Sequence, residues 1–334
     1  MPVRRYPINK GCLSNLINPQ ITVARIIIKH KSINRSPVII LICLFLSTSF
    51  IFLKEKSYMN RKLIFLTIIF LIISLGFLSY KQITTGFFID KSIELKGGNL
   101  ITISFYNASF DEISDLRDML QKEYKVAAYT TTSAIETQLS VECSGIDTNQ
   151  LIKDINKTLE IKNYEISKID PKLSANILND IIYSIIFAFV AIAIIIFILF
   201  RTLIPSFAMV LCAFSDIVIT LFLMNILSIK LSIATFTALL MVLGYSVDSD
   251  ILLTTRVLKS HENFDKQYKS ALKTGLTMSI TSMVGLIAIL LITGYSSVFG
   301  QLASVLIISL IVDIPNTWIQ NATILDIYLE KLRR

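Results

Sequence analysis

Long apolar runs recur along this chain, at 37–53, 63–80, 181–200, 203–223, 231–247, 276–293 and 298–312. A helix needs about 20 apolar residues, at 1.5 Å each, to cross the hydrocarbon layer of a bilayer. The run from Leu231 reaches that length only by continuing past Asp248, and the last only by passing Asp313. Charge is therefore built into the spans. Mean hydropathy is +0.66, and charged residues make up 17% of the 334, against about 25% in ordinary soluble domains. The fold class that follows is an α-helical polytopic membrane protein. The net charge of +8 then marks the cytoplasmic side of the spans and gives no reason to expect nucleic acid.

The basic residues fix an expected topology. Arg61 and Lys62 precede the run at 63–80, Arg201–Thr202 forms a tight turn, and the chain closes on Lys331, Arg333 and Arg334. A loop at 256–274 carries Arg256, Lys259, Lys266, Lys269 and Lys273. With all of these cytoplasmic, six spans alternate without conflict. The expected division is a first core helix at 59–80, an extracytoplasmic insert at 81–180, and five spans over 181–334. In this reading a multi-pass protein sits in the cell membrane, with the core amino terminus and the carboxyl terminus cytoplasmic. Met59 is followed at once by Asn60, Arg61, Lys62 and an apolar run, the pattern of a genuine amino terminus. Residues 1–58, with one apolar segment, are expected to be an untranslated upstream extension; a seventh span or a surface-lying segment are the alternatives.

The insert has its own order. Residues 99–106 alternate as a strand, and Ser109 with Glu112 forms a capping box before Ile113, Leu116, Met119 and Leu120 at helical spacing. Two strands follow at 125–130 and 134–141, joined by a turn at 131–133. Asp147 and Gln150 form a second capping box, and 163–169 closes the unit. The order β-α-β-β-α-β predicts a ferredoxin-like α+β domain between the first and second core helices. The sequons at Asn107 and Asn156 are short enough to arise by chance. Four scattered cysteines and two histidines form no metal spacing. Neither a phosphate-binding loop nor a hydrolase elbow is present. An enzyme, a cofactor and a metal are all left without support.

The chemistry lies in the polar residues of the spans. Asp216 falls roughly 4–5 Å to the outer side of its helix centre, and Asp248 and Asp313 roughly 7 Å to the inner side, at about 1.5 Å per residue. A carboxylate at such depth costs about 2.5–3.5 kcal/mol even on the lenient insertion scale. It must be protonated, paired or turned to a polar interior. Asp248 shares a helix face with Gly244, Tyr245 and Leu252, and Asp250 lies about 200° around at 100° per residue. One of the two is expected to face something beyond the six-helix unit, or Asp250 is already solvated at the helix end. Arg256 emerges at the inner interface, where it could pair with a nearby aspartate. Gly244, Gly275, Gly285 and Gly300 allow close helix approach. A kink at Pro315 would free a carbonyl near Asp313 and Asn316.

Several motifs bear a resemblance. GYSVDSDILLTTRVLK at 244–259, KGGNLITI at 96–103, SDIV at 215–218, GYSSVFGQLA at 294–303 and VDIPNTWIQNA at 312–322 resemble the SecD/SecF protein-export family in its archaeal SecF form, within the resistance-nodulation-division superfamily. The likeness covers 59–334. It implies a six-helix bundle and a non-enzymatic role in protein export beside a SecD-like subunit and a SecYEG/Sec61-type channel, acting on a translocating unfolded polypeptide and drawing on the ion gradient. The depth of Asp216, Asp248 and Asp313 already favours a proton or ion path; with the resemblance, these three, Arg256 and Asp250 are the candidates for ion coupling. Asp250 stands where bacterial members often have a small polar residue, and Ser215 where they often have histidine. A small-molecule or lipid exporter of the same superfamily, and a structural assembly factor for the channel, are the competing readings.

Overall fold

A computed structural model describes residues 63–106, 110–124, 126–132, 137–143, 148–259, 264–293 and 297–333. The segment 37–53, the helix caps at Ser109 and Asp147, the turn at 133 and the sequon at Asn107 lie outside the described residues. The chain order is α1 (Leu63–Thr85), α2 (Ile93–Lys96), β1 (Gly98–Phe105), α3 (Phe110–Glu123), β2 (Ala127–Thr132), β3 (Thr137–Cys143), α4 (Thr148–Thr158), β4 (Ile161–Ile169), α5 (Pro171–Phe200), α6 (Leu203–Ile226), α7 (Ile233–Lys259), α8 (Phe264–Thr293), α9 (Val298–Pro315), a π-helical turn (Asn316–Asn321) and α10 (Ala322–Arg333). Among the described residues, six helices are long and apolar enough to cross a membrane: α1, α5, α6, α7, α8 and the continuous α9–α10 rod.

The four strands form one antiparallel sheet in the order β2-β3-β1-β4, which is the split βαβ topology expected of the insert. Alternation sets the buried face. Ile101 pairs with Val141 and Ile103 with Leu139, and all four are fully buried under Ile113, Leu116 and Leu120 of α3 and Leu151 and Ile155 of α4. Met119, expected on that face, is 38% exposed at its edge. Cys143 closes the sheet core, and burial pushes its thiol above the usual range. The edge strand β4 is exposed along almost its whole length.

The spans are not equivalent. The most apolar stretch of α6 is 72% buried, whereas those of α5 and α8 are only 11% buried. Helices α6, α7 and α9 therefore make the centre. Phe222 of α6 takes edge-on contacts from Phe70 and Phe77 of α1, at 5.8 and 5.2 Å between ring centroids. The tight turn expected at 201–202 is present, with Arg201 closing α5 in the left-handed conformation.

Two boundaries differ from expectation. α1 runs to Thr85, past the expected limit at 80, and α5 begins at Pro171, where Asp170 accepts a hydrogen bond from the Lys172 amide at 2.8 Å. Proline at the first helical position and an aspartate cap start the helix outside the apolar stretch. The loop expected at 256–274 is largely helical. Tyr268, Ala271, Leu272 and Gly275 turn inward on α8, and Lys266, Lys269 and Lys273 lie away from the core on the same helix. Their spacing of three to four was helical, and charge alone suggested a loop.

Glycine packing also differs from the motif. A Cβ at Gly244 or Gly285 would meet nothing within 4 Å, so neither packs against a helix of this unit. Gly275 lies flat against the Trp318 indole, and a Cβ there would overlap the ring. Tyr268 fixes that indole in place: its hydroxyl donates to the Trp318 carbonyl at 2.8 Å, and its ring meets the indole edge-on. We predict that Gly275→Ala destabilises the protein by about 1–3 kcal/mol through overpacking. Gly244→Ala should be neutral or stabilising by up to about 1 kcal/mol, from helix propensity. Thermal unfolding of the two variants in detergent compares them directly.

Candidate functional site: three carboxylates between α6, α7 and α9

Asp216, Asp250 and Asp313 are 0%, 0% and 3% exposed and converge where α6, α7 and the end of α9 meet. Asp216 accepts hydrogen bonds from Ser246 on α7 and from Asn316 Nδ2 at 2.7 Å. Asp313 accepts from Ser249 at 3.1 and 3.2 Å and from Thr317 at 3.0 Å. Asn321 donates to Asp250 at 2.8 Å, and Gln320 donates to Ser215 at 3.3 Å. Asp216 and Asp313 are near neighbours.

The π turn makes this convergence possible. Pro315 has no amide hydrogen to continue the helix, and the six residues after it take the wider π turn. Each residue advances less in angle there than in an α-helix, so Asn316, Thr317, Gln320 and Asn321 all stay on the inward side. All six residues of the turn are buried. The kink expected at Pro315 is thus a widened turn that aims amide and hydroxyl groups at the aspartates.

Charge accounting sets the chemistry. Among the described residues no lysine, arginine or histidine forms an ion pair with Asp216, Asp250 or Asp313. Arg256 lies at the far end of α7 and donates to Ser270 of α8 at 2.6 Å. It pairs with none of the three, because the α7 axis carries it away from the level of the cluster. Neutral donors satisfy a carboxylate's hydrogen bonds but not its charge. Asp250 Oδ2, Asn316 Oδ1, Gln320 Oε1 and Asn321 Oδ1 are buried without any hydrogen-bond partner, so the cluster keeps acceptor capacity beyond its internal bonds.

Asp248 stands apart. It is exposed on the outward face of α7, with Met241, Gly244 and Tyr245 beside it. The expected angular separation of Asp248 and Asp250 is present, and Asp250 is the inward member rather than a solvated helix end. Asp216, Asp313, Asp250 and Asn316 stand out as candidates in the sequence, whereas Thr317, Gln320 and Asn321 join the site only in the fold. Their signal was a run of amide and hydroxyl side chains inside an apolar span.

The cluster's helices lead directly to the sheet domain. The α6–α7 loop and the strap between α1 and α2 form a short parallel bridge, in which the Leu231 amide donates to the Asp90 carbonyl at 2.7 Å and the Ser92 amide to the Leu231 carbonyl at 2.8 Å. Glu94 accepts from the Ile233 amide at 3.1 Å, at the start of α7. Lys230 pairs with Glu142 of β3 at 2.9 Å. At the end of α1, Lys81 reaches Asp90 at 2.8 Å and Asn225 of α6 at 2.6 Å.

Residues 148–331 match the family model for the protein export membrane protein SecD/SecF, C-terminal. The chain belongs to the SecD/SecF family. It is 39% identical to the protein-export membrane protein SecF of Pyrococcus furiosus, over 75% of this chain and 84% of that protein. The SecF of Methanocaldococcus jannaschii is also 39% identical, over 73% of this chain and 89% of that one. The crystal structure of SecDF from Thermus thermophilus, a translocon-associated membrane protein, shares the fold at TM-score 0.61 and 19% identity; the match covers 81% of this chain and 38% of that one. The six spans and the inserted sheet domain are thus the SecD/SecF membrane architecture.

Removing one donor tests the site's packing without touching its charges. Asn316→Leu leaves an oxygen of Asp216 without its amide, and we predict a loss of about 1–3 kcal/mol. Asp248→Asn, on the outer face, should leave stability within about 0.5 kcal/mol of the parent. Unfolding of both in the same detergent is the comparison.

Proposed function

We propose that this chain works as the SecF-like subunit of a protein-export complex and couples ion movement through the carboxylate cluster to motion of the sheet domain. The role is that of a transport subunit, not an enzyme. Three buried carboxylates without a basic partner carry the reading. Within a bilayer such groups hold protons or a small cation, and polar relays at that depth mark ion pathways. Ser246, Ser249, Thr317 and the amides of the π turn supply a hydrogen-bonded route between them.

The link to work is mechanical. Asp216 and Asp250 sit on α6 and α7, and the loop joining those helices holds the strap and β3. A change in cluster charge that shifts α6 against α7 moves that loop, and with it the sheet domain. One elementary charge crossing 100 mV releases about 2.3 kcal/mol. That biases a two-state domain roughly forty- to fiftyfold, enough to oppose backsliding of an emerging chain. Basic residues at Arg201, Lys259 to Lys273 and the carboxyl end fit a topology with those ends cytoplasmic and the sheet domain, within 81–180, on the other side. The partners that fit are a SecD-like subunit, a SecYEG/Sec61-type channel and the unfolded polypeptide leaving it. The outward face of α7 around Gly244 and Asp248 suits the SecD-like subunit: small residues let helices approach closely, and a carboxylate at that depth needs a polar neighbour.

The test is export into vesicles at constant ATP. Carrying asparagine at 216, 250 and 313 together should abolish the part of export that depends on the membrane potential, while a SecD-like partner still copurifies. Export and potential dependence left unchanged would overturn coupling. Loss of copurification instead would assign the aspartates to assembly.

A further inference from the structure

On the sheet-domain side of the bundle, a cleft of about 550 Å³ opens between the strap and the first turns of α5. Its walls include Phe87, Ile89, Lys91 and Lys96 from the strap and α2, and Pro171 and Leu178 from α5. Asp90 also lines it, but its carboxylate is held by Lys81 at 2.8 Å. Lys91 is only 9% exposed. Among the described residues it meets no carboxylate; its ammonium lies 3.0 Å above the centre of the Phe87 ring. Burial, and then the like charge of Lys96, hold its pKa below the usual lysine value. A buried ammonium that faces a cleft and a second ammonium, while the carboxylate lining that cleft is held by Lys81, lacks an anion of its own.

The height of the cleft narrows the anion's identity. Residues 181–200 of α5 alone span about 30 Å, the thickness of the hydrocarbon core. Leu178 and Pro171 then stand roughly 5 and 15 Å beyond its edge, so the floor of the cleft lies in the headgroup layer. Below it, Tyr80, Ile83, Tyr183 and Ile186 expose apolar surface on α1 and α5. An occupant with a negative head and apolar tails satisfies both levels.

We propose that the cleft between the strap and α5 binds the phosphate headgroup of an anionic phospholipid, with Lys91 and Lys96 as its cationic contacts and the acyl chains lying along α1 and α5. The site is separate from the carboxylate cluster and does not rest on the export reading. Lipid bound there would brace the strap that connects the α6–α7 loop to the sheet domain, so the composition of that leaflet would bear on how firmly the domain is held.

The experiment uses the full chain in phosphatidylcholine nanodiscs containing photoactivatable phosphatidylglycerol or photoactivatable phosphatidylcholine, with crosslinks mapped by mass spectrometry. Labelling of residues 85–96 should favour phosphatidylglycerol. Lys91→Gln should weaken that labelling roughly five- to tenfold, and Lys91→Arg should retain it. Lys96→Gln, at an exposed position that leaves folding undisturbed, should weaken it roughly two- to fivefold. Equal labelling by the two lipids, or labelling indifferent to both glutamine variants, would overturn the proposal. Competition by millimolar inorganic phosphate as effective as by unlabelled phosphatidylglycerol would assign the cleft to a soluble phosphate and overturn the lipid reading.

Discussion

Three carboxylates held in the bundle interior without a basic counterpart are the constraint on which the rest of the structure depends. A buried ion unbalanced by an opposite charge costs several kcal/mol. The chain keeps three and surrounds them with serine, threonine, asparagine and glutamine from α7 and the π turn. Those groups dictate how close α6, α7 and α9 must stand. They account for the widened turn after Pro315 and for Asn316 and Asn321 aimed inward. The central helices are thus tied together by buried polar contacts as well as by apolar packing, while α1, α5 and α8 pack around them mainly through apolar side chains. Association in a bilayer follows this division, because lipid competes with leucine and isoleucine but not with an amide reaching a carboxylate.

The sheet domain depends on a different force. Its core is a water-driven apolar layer of Ile101, Ile103, Leu139 and Val141 beneath α3 and α4. The two regions are joined through few elements: the strap, α2, the start of α5 and the α6–α7 loop. The main-chain bridge, the Glu94 contact and the Lys230–Glu142 pair converge on residues 230–233, directly above the helices that carry Asp216 and Asp250. A domain stabilised by its own core can move as a body when its attachment moves, without losing internal packing.

Much of this was legible in the sequence. Length and hydropathy placed all six spans, because hydrocarbon thickness sets a strict minimum. Period-two and period-3.6 patterns gave the order of the sheet domain, and helical angle separated Asp248 from Asp250. Which of the two faced inward was not legible, since angle is relative and the neighbouring helices supply the origin. The same limit applied to glycine. Gly244, Gly275 and Gly285 look alike in sequence, and only the position of Trp318 distinguishes Gly275. Arg256 looked like a partner for an aspartate because it was near in sequence, yet six residues of helix, about 9 Å of rise, separate it from Asp250. Thr317, Gln320 and Asn321 were hidden by the assumption that a span continues as an α-helix.

The bridge between Leu231 and residues 90–92 is made by main-chain amides and carbonyls. Side chains at those positions can therefore drift through evolution without breaking it, provided none is proline where an amide must donate. Relatives can inherit the fastening as a backbone shape while their residues diverge, and comparison of amino-acid identities will undervalue it.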